Sequence, residues 1–138
     1  MKINSLYPVI GTKNIDASKQ FYTSHFDFET VFDSDWYISM ATSGTPSFEL
    51  ALLDYTHPSV PEKFQVQAKG ILINIEVEDV DQVYDRICGQ GIDMILDIKS
   101  EEWGQRHFII EDPNGLLVDV IQNIEPTGEF ADQYQQSE

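Results

Sequence analysis

LYPVIGTKNIDASKQFY, residues 6–22, and LINIEVEDVDQVYDRI, residues 72–87, are two copies of one pattern in which a strand, a turn and a helix follow one another. An offset of 65 residues superposes them and places Asn14 on Asp79. Both residues are of a type that caps helix N-termini, because their side chains accept hydrogen bonds from the first free backbone N–H groups. The sequence therefore predicts the same local unit twice.

Three strand-like runs of residues follow each predicted helix. The runs cover residues 28–32, 36–42 and 47–53 in the first half and residues 94–98, 107–110 and 116–121 in the second. A turn at Asp112-Pro113-Asn114-Gly115 joins the last two runs, because proline fixes φ and Asn-Gly tolerates positive φ. We predict an α+β fold of two βαβββ modules that form a curved mixed sheet around a cleft, with a ligand inside the curve.

The chain is predicted to fold as one domain over residues 1–124. Module one covers about residues 1–54, and module two covers about residues 70–124. The linker between them, residues 55–69, contains two prolines and little periodicity. Residues 125–138 are predicted to form a polar, acidic tail that frays from the domain.

The chain is strongly acidic, with 24 Asp and Glu residues, 8 Lys and Arg residues and a formal net charge of -16. Such a field repels phosphate backbones and anionic membranes, so neither nucleic acid nor a membrane is predicted as a partner. The acidity has two open interpretations, a general aid to solubility or a field suited to a cationic ligand. The chain shows no basic and apolar leader and no apolar run of 18 residues, which predicts a soluble, cytoplasmic protein.

The cysteine and the histidines do not have the spacing of a metal site. Cys88 is the single cysteine, so no intrachain disulfide can form, and its place in the apolar series of the second predicted helix predicts a buried, inert thiol. The histidines are predicted to be surface or hydrogen-bonded structural residues: His25, His57 and His107.

Several short segments carry a family resemblance through their order along the chain. They are Asn14-Ile15-Asp16-Ala17-Ser18 with Phe21-Tyr22, Phe48-Glu49-Leu50, Val77-Glu78-Asp79-Val80, Trp103-Gly104-Gln105-Arg106, and Asp112-Pro113-Asn114-Gly115 leading to Val118-Asp119-Val120. In this order they resemble the vicinal oxygen chelate superfamily, which contains glyoxalases, extradiol dioxygenases and bleomycin-resistance proteins. The resemblance spans nearly the whole chain and implies the fold predicted from the repeat.

In the metal-dependent members of that superfamily, four ligands line the cleft, commonly two histidines and two glutamates. By position, the resemblance places them on Tyr7, Glu49, Leu72 and Asp119. Leucine has no donor atom and a neutral tyrosine hydroxyl is a poor ligand, so the two carboxylates alone would bind a divalent ion weakly. The resemblance therefore implies no metal ligand and no cofactor in this chain.

The metal-free bleomycin-resistance branch is similar in more detail. Its members are acidic and sequester a flat cationic drug in a cleft between the subunits of a dimer. The segment Ser5-Leu6-Tyr7-Pro8-Val9 resembles their opening, in which a proline accompanies exchange of the first strand between subunits. The resemblance implies a homodimer in which the first strand can be exchanged between the subunits. A simple bend of that strand at Pro8 is the open alternative to exchange.

The same resemblance implies that aromatic rings contact the ligand at Phe32, Trp36 and Trp103. Aromatic faces attract planar and cationic groups by on the order of 1 kcal/mol each. Burial in the core is an open alternative for Phe32 and Trp36, whereas the loop-like surroundings of Trp103 beside Gly104 favour the cleft. Arg106 is predicted to form a structural ion pair.

The sequence favours a metal-independent small-molecule binding protein of the bleomycin-resistance type, which sequesters an aromatic or cationic ligand in a dimer cleft. No catalytic residue is predicted, and the predicted ligand-binding residues are Tyr7, Phe32, Trp36, Glu49, Trp103 and Asp119. The alternative is a glyoxalase-like lyase or isomerase that uses a divalent metal or a carboxylate base such as Glu49. A structural dimer is a third possibility.

Overall fold

A computed structural model of the chain describes residues 1–133. It contains eight strands and two α-helices in the predicted order, which confirms an α+β fold of two βαβββ modules. The elements are β1 (Val9–Thr12), α1 (Ile15–His25), β2 (Phe28–Asp33), β3 (Tyr37–Thr42), β4 (Glu49–Asp54), β5 (Leu72–Glu76), α2 (Val80–Gly89), β6 (Leu96–Glu101), β7 (Gln105–Glu111) and β8 (Leu117–Asn123). Short 3-10 helices lie at Glu62–Phe64 and Gly128–Asp132.

The chain divides into two compact units. The first comprises Met1–Gly70 and Asp112–Gly115, and the second comprises Ile71–Glu111 and the described residues from Leu116 onward. Each unit has one four-stranded sheet, in the order β1-β4-β3-β2 or β5-β8-β7-β6. In each sheet the first strand pairs parallel with the last, and the other pairs are antiparallel. The sheet topology therefore repeats together with the sequence pattern.

Both helices begin as the sequence predicts. The Asn14 side chain accepts a hydrogen bond from the backbone N–H of Ala17, and the Asp79 side chain accepts one from Gln82, each at 3.1 Å. These bonds satisfy backbone donors that the first turn of a helix leaves without a partner. The two caps therefore fix equivalent starting points for α1 and α2.

The prediction of a buried thiol at Cys88 was wrong, since the residue is exposed. Val80 and Ile87 are fully buried and lie two turns apart on the face of α2 that packs on its sheet. Each residue advances about 100° around a helix, so Cys88, one position after Ile87, is turned away from that face. A position inside an apolar series is not necessarily a position on the apolar face.

Among the strands that begin later than the sequence predicts, β1 and β3 concern predicted site residues. β1 begins at Val9, so Tyr7 and Pro8 precede it. The Pro8 carbonyl accepts a hydrogen bond from Ala51 N at 3.1 Å, but proline has no N–H with which to continue the ladder. β3 begins at Tyr37, so Trp36 lies just before the strand.

A buried hydrogen-bond network in the first unit explains the Asp-Pro-Asn-Gly motif. The fully buried Tyr22 donates its hydroxyl to Asp112 Oδ2 at 2.7 Å. The Asn114 amide donates to Ser18 Oγ at 2.9 Å, and Asn114 N donates to Asp112 Oδ1 at 2.8 Å. Burial first, and then the charge and hydrogen bond of Asp112, raise the pKa of Tyr22 and keep its hydroxyl protonated. The motif therefore holds the turn against α1.

The C-terminal segment continues from β8 along the second unit. Thr127 N donates to the carbonyl of Glu102 at 2.8 Å, and the Phe130 ring meets the Trp103 ring edge-on at 6.3 Å. The residues after Glu125 therefore make specific contacts where the sequence predicts fraying. Residues 134–138 of the predicted tail lie outside the described residues.

Neither α-helix in residues 1–133 is long and apolar enough to span a lipid bilayer.

Candidate functional site

A cavity of about 140 Å³ lies on one face of the first sheet. Three of the predicted ligand-binding residues, Tyr7, Phe32 and Glu49, are in its wall. The complete wall consists of Tyr7, Val31, Phe32, Ser39, Met40, Glu49, Leu50 and Ala51. The structure thus brings together residues from the segment before β1 and from β2, β3 and β4.

The strand register explains why these residues meet. Phe32 lies opposite Ser39, and Ser39 lies opposite Ala51, so the three side chains project from the same face of the sheet. The small side chains of Ser39 and Ala51 leave the space that forms the cavity. The pairing of β2 with β3 shifts between Thr30 and Phe32, and this irregularity places Val31 and Phe32 together at the cavity edge.

Glu49 is the charged side chain in the cavity wall. It is exposed at the start of β4, and one of its oxygens, Oε2, accepts a hydrogen bond from Ser5 Oγ at 2.5 Å. Partial burial, and then the neighbouring Tyr7 and Glu49, raise the pKa of Tyr37, so its hydroxyl stays neutral at physiological pH. The wall therefore combines one negative charge with neutral aromatic rings.

Trp36 is not in the wall of this cavity. Its ring stacks on the imidazole of His57 with 3.8 Å between ring centroids and an interplanar angle of 9°. Ser59 N donates a hydrogen bond to His57 Nδ1 at 3.1 Å, which confirms His57 as a hydrogen-bonded structural residue. A direct contact between Trp36 and a ligand stays a prediction.

Asp119, another predicted site residue, lies in a buried charged cluster of the second unit. Its Oδ1 bonds His107 Nδ1 at 2.8 Å, and His107 Nε2 bonds Glu101 Oε2 at 3.0 Å. His107 is only 4% exposed and Asp119 only 7% exposed. Lys99 Nζ lies 3.2 Å from the other oxygen of Glu101. This arrangement confirms His107 as a hydrogen-bonded residue, but the sequence did not predict its two carboxylate partners.

The cluster favours a charged imidazolium on His107. Burial alone would lower the pKa of His107, but the hydrogen bonds to Glu101 and Asp119 outweigh burial and leave that pKa above its ordinary value. The hydrogen bond from His107 in turn lowers the pKa of Glu101, with a smaller effect of Lys99. The charge of Asp119 is therefore paired inside the protein.

Trp103 is held beside this cluster and is 37% exposed. Its Nε1 donates to Gln105 Oε1 at 2.8 Å, and its ring meets the His107 ring edge-on at 6.2 Å. Gly104 has φ +105°, and a Cβ there would lie 2.9 Å from the Ile124 carbonyl oxygen. Only glycine fits this position without a backbone shift, so it fixes the place of Trp103.

Arg106, the last residue of the same motif, forms the predicted structural ion pair. Its guanidinium makes two hydrogen bonds to the Asp81 carboxylate, at 3.0 and 2.8 Å, and a third to Ser100 Oγ at 3.2 Å. Such a bidentate pair fixes the guanidinium plane. Arg106 therefore ties β7 to the first turn of α2.

The residues at the metal-ligand positions of the superfamily do not fit a metal ion. The resemblance assigns these positions to Tyr7 and Glu49 in the first unit and to Leu72 and Asp119 in the second. Leu72 has no donor atom, and Asp119 already bonds His107. Within residues 1–133, no three or more His, Cys, Asp or Glu side chains are grouped so that they could hold a metal ion.

A sequence profile of the Glyoxalase/Bleomycin resistance protein/Dioxygenase superfamily matches residues 4–120. No curated protein sequence matches the chain. Among solved structures, a glyoxalase/bleomycin resistance protein/dioxygenase from Nocardioides is similar with a TM-score of 0.73 and 17% identity, over 94% of this chain and 89% of that chain.

Two other similar solved structures are named for a function. An antibiotic binding protein from Streptomyces sp. CB03234 has a TM-score of 0.70 and 21% identity, over 89% of this chain and 98% of that chain. A lactoylglutathione lyase from Agrobacterium tumefaciens has a TM-score of 0.68 and 18% identity, over 88% and 96%. At these identities the similarity shows the fold alone. One fold can serve both binding proteins and enzymes.

Proposed function

This chain belongs to the Glyoxalase/Bleomycin resistance protein/Dioxygenase superfamily, and we propose that it is a metal-independent binding protein that sequesters an aromatic or cationic small molecule. The observation that carries this function is the first-unit cavity, in which Tyr7 and Phe32 lie beside the Glu49 carboxylate. Aromatic faces and a carboxylate together attract a cationic group. Sequestration requires no further chemical group.

The charge distribution supports a cationic ligand. The chain carries a net charge of -16, which raises the local concentration of cations and lowers that of anions. No basic residue is among those that line the cavity. We therefore expect a cationic molecule to bind in preference to a neutral or anionic one of the same shape.

We assign the other predicted residues different weights in ligand binding. Trp103, in the second unit, offers a partly exposed indole face, and its contact with a ligand stays a prediction from the resemblance. Asp119 contributes less charge than the sequence predicts, because His107 already pairs with it. Trp36 would contribute only through the ring that it stacks on His57.

We also propose that the protein acts as a homodimer that forms at the edge strand β1 and the segment before it, and exchange of the first strand stays a prediction from the resemblance. Ile3 and Leu6 in this segment are 68% and 89% exposed, and β1 is an edge strand of its sheet. Exposed apolar side chains next to an open edge favour a protein partner. The cavity of about 140 Å³ is also smaller than the roughly 300 Å³ that encloses a drug-sized ligand. A second copy would supply the missing wall.

The catalytic alternative, a glyoxalase-like lyase or isomerase, would depend on Glu49 as a base. Proton transfer next to a carbonyl also needs an electrophile that stabilises the developing negative charge. The donor set does not fit a Lewis-acid ion, so the binding function is the better supported.

Ligand titration tests the binding function directly. We expect saturable changes in tryptophan fluorescence and a heat of binding with cationic aromatic drugs, bleomycin included, and neither with anionic aromatic dyes. Phe32→Ala should weaken binding about tenfold, since a buried ring contact of about 1.4 kcal/mol corresponds to that factor. Phe64→Ala is the matched control, because Phe64 is 70% exposed and is not in the cavity wall.

A panel of cationic, neutral and anionic aromatic compounds that all leave both signals unchanged would overturn the proposed function. Sedimentation of the full chain with and without drug tests the dimer separately. A monomer at all protein concentrations that nevertheless binds the drug would contradict the dimer alone.

A further inference from the structure

We propose that the first-unit cavity is a subsite for a small alkylammonium group, and that Glu49 makes it select a positive charge over a neutral group of the same shape. This inference rests on the proposed function and names the part of the ligand that enters the cavity. It predicts that methylated amines and quaternary ammonium compounds are the ligand class, including ones without any aromatic ring.

The size of the cavity restricts what can enter it. A volume of about 140 Å³ is close to the roughly 150 Å³ of an apolar cavity that admits benzene. It is less than half of the roughly 300 Å³ that the smallest drug sites provide. The cavity therefore admits one compact group, such as trimethylammonium, and not the whole body of a polycyclic drug.

The ring geometry favours a compact group over a flat one. Phe32 in the cavity wall and the adjacent Tyr37 have ring centroids 6.4 Å apart, and their planes are inclined by 56°. Tyr37 is not in the wall, and its inclined ring gives Phe32 no parallel partner with which to sandwich a planar group. The rings in the wall are those of Tyr7 and Phe32, and aromatic faces recognise rounded quaternary ammonium groups.

The polar groups favour a cation that donates few hydrogen bonds. Glu49 supplies the negative charge, and Ser5 Oγ orients its carboxylate by a hydrogen bond at 2.5 Å. Val31 and Phe32 supply the exposed apolar side chains of the wall. A charged group with a methylated surface satisfies both parts of the wall, because its methyl groups meet apolar atoms while its charge meets Glu49.

Choline and its neutral carbon analogue, in which a tert-butyl group replaces trimethylammonium, provide the test. The two probes have nearly the same shape and differ by one charge. We expect choline to shift the amide NMR signals of Phe32, Ser39 and Glu49 in a saturable way, with an affinity about tenfold or more above that of the analogue. Equal affinities for the two probes would overturn the inference.

Two substitutions locate the effect in the cavity. Glu49→Gln keeps the shape and removes the charge, and it should reduce choline affinity about tenfold while the affinity for the analogue stays the same. Glu62→Gln changes the net charge of the protein equally but lies outside the cavity wall, and it should leave both affinities unchanged. Ser39→Leu fills the cavity and should abolish binding of both probes, with the folded NMR spectrum retained.

The results separate this inference from the proposed function. If cationic aromatic drugs bind but choline does not, or if Glu49→Gln and Glu62→Gln have equal effects, the ammonium subsite is wrong and drug binding stands. If choline binds through Glu49 but no larger cationic drug binds, the subsite is supported and sequestration of drugs is wrong.

Discussion

The two units have the same strand order but place their predicted ligand-binding carboxylates in opposite environments. In the first unit, Glu49 is exposed beside small side chains and a cavity. In the second unit, Asp119 is buried and bonded to His107, which also bonds Glu101. A buried charge must be paired, whereas an exposed charge stays free to meet a ligand. A repeated fold can therefore use one copy of a carboxylate for binding and the other for stability.

Removing the charge of His107, which pairs with Asp119, should have the largest effect on the free energy of unfolding. His107→Leu leaves Glu101 and Asp119 without their shared partner and should lower the free energy of unfolding by about 3–5 kcal/mol. Glu49→Gln should change it by less than about 0.5 kcal/mol, because that residue is exposed. Urea unfolding followed by circular dichroism measures both values. Similar values for the two variants would contradict the view that the carboxylate of the second unit serves stability and that of the first does not.

Glycine substitutions offer a second comparison between the units. Gly104→Ala and Gly44→Ala both force a side chain into positive φ, at +105° and +112°, with a cost of about 1–3 kcal/mol each. At Gly104 the added Cβ would also lie 2.9 Å from the Ile124 carbonyl oxygen, whereas nothing lies within 4 Å at Gly44. We expect Gly104→Ala to cost about 1 kcal/mol more, as measured by thermal unfolding. Equal losses would show that the segment after β8 yields to the added methyl group.

The pH dependence of stability should identify the second-unit cluster. The pKa of His107 is raised above its usual 6.5 in the folded state, so its stabilisation is complete below pH 6.5 and is lost as the pH rises through the folded pKa. The pKa of Glu101 is lowered from 4.5, so its stabilisation is complete above that value and is lost as the pH falls through the folded pKa. The cluster should therefore stabilise the fold most between these two values.

Urea unfolding of the native chain and of His107→Leu across this range measures that dependence. The difference between the two proteins should be largest in the window from pH 4.5 to 6.5 and should narrow on both sides. A difference that does not change with pH would mean that His107 is not charged in the folded protein.

The smallest expected effect on the free energy of unfolding comes from the hydrogen bond between Ser5 and Glu49. Ser5→Ala removes the exposed bond to Glu49, and water can replace the lost hydroxyl, so the free energy of unfolding should change by less than about 0.5 kcal/mol. Urea unfolding against the native chain is the measurement. A loss above about 1 kcal/mol would show that the segment before β1 contributes to the stability of the first unit.

Local patterns were sufficient for the repeated modules and for the starts of both helices. Asn14 and Asp79 cap their helices through bonds to residues three positions away, so these contacts depend on neighbouring sequence alone. Patterns within one segment did not identify which face a residue occupies. Cys88 lies one position after the buried Ile87 and is exposed.

The candidate site was predictable only in part. Tyr7, Phe32 and Glu49 were predicted from the family resemblance and meet in one cavity wall, although their binding of a ligand stays a prediction. Ser39 was not predicted, because no chemical group in its own segment marks it. Its place in the wall follows from its pairing with β2 and β4.

The sequence by itself determined the duplicated βαβββ order, the helix caps and the acidic charge, because these depend on neighbouring residues or on composition. Only the tertiary structure decided which of the two carboxylates is paired. His107 and Asp119 are 12 residues apart on different strands, and their contact exists only when β7 and β8 pair in the observed register. Register is set by the packing of the whole sheet, and a shift of one residue would turn each side chain to the opposite face.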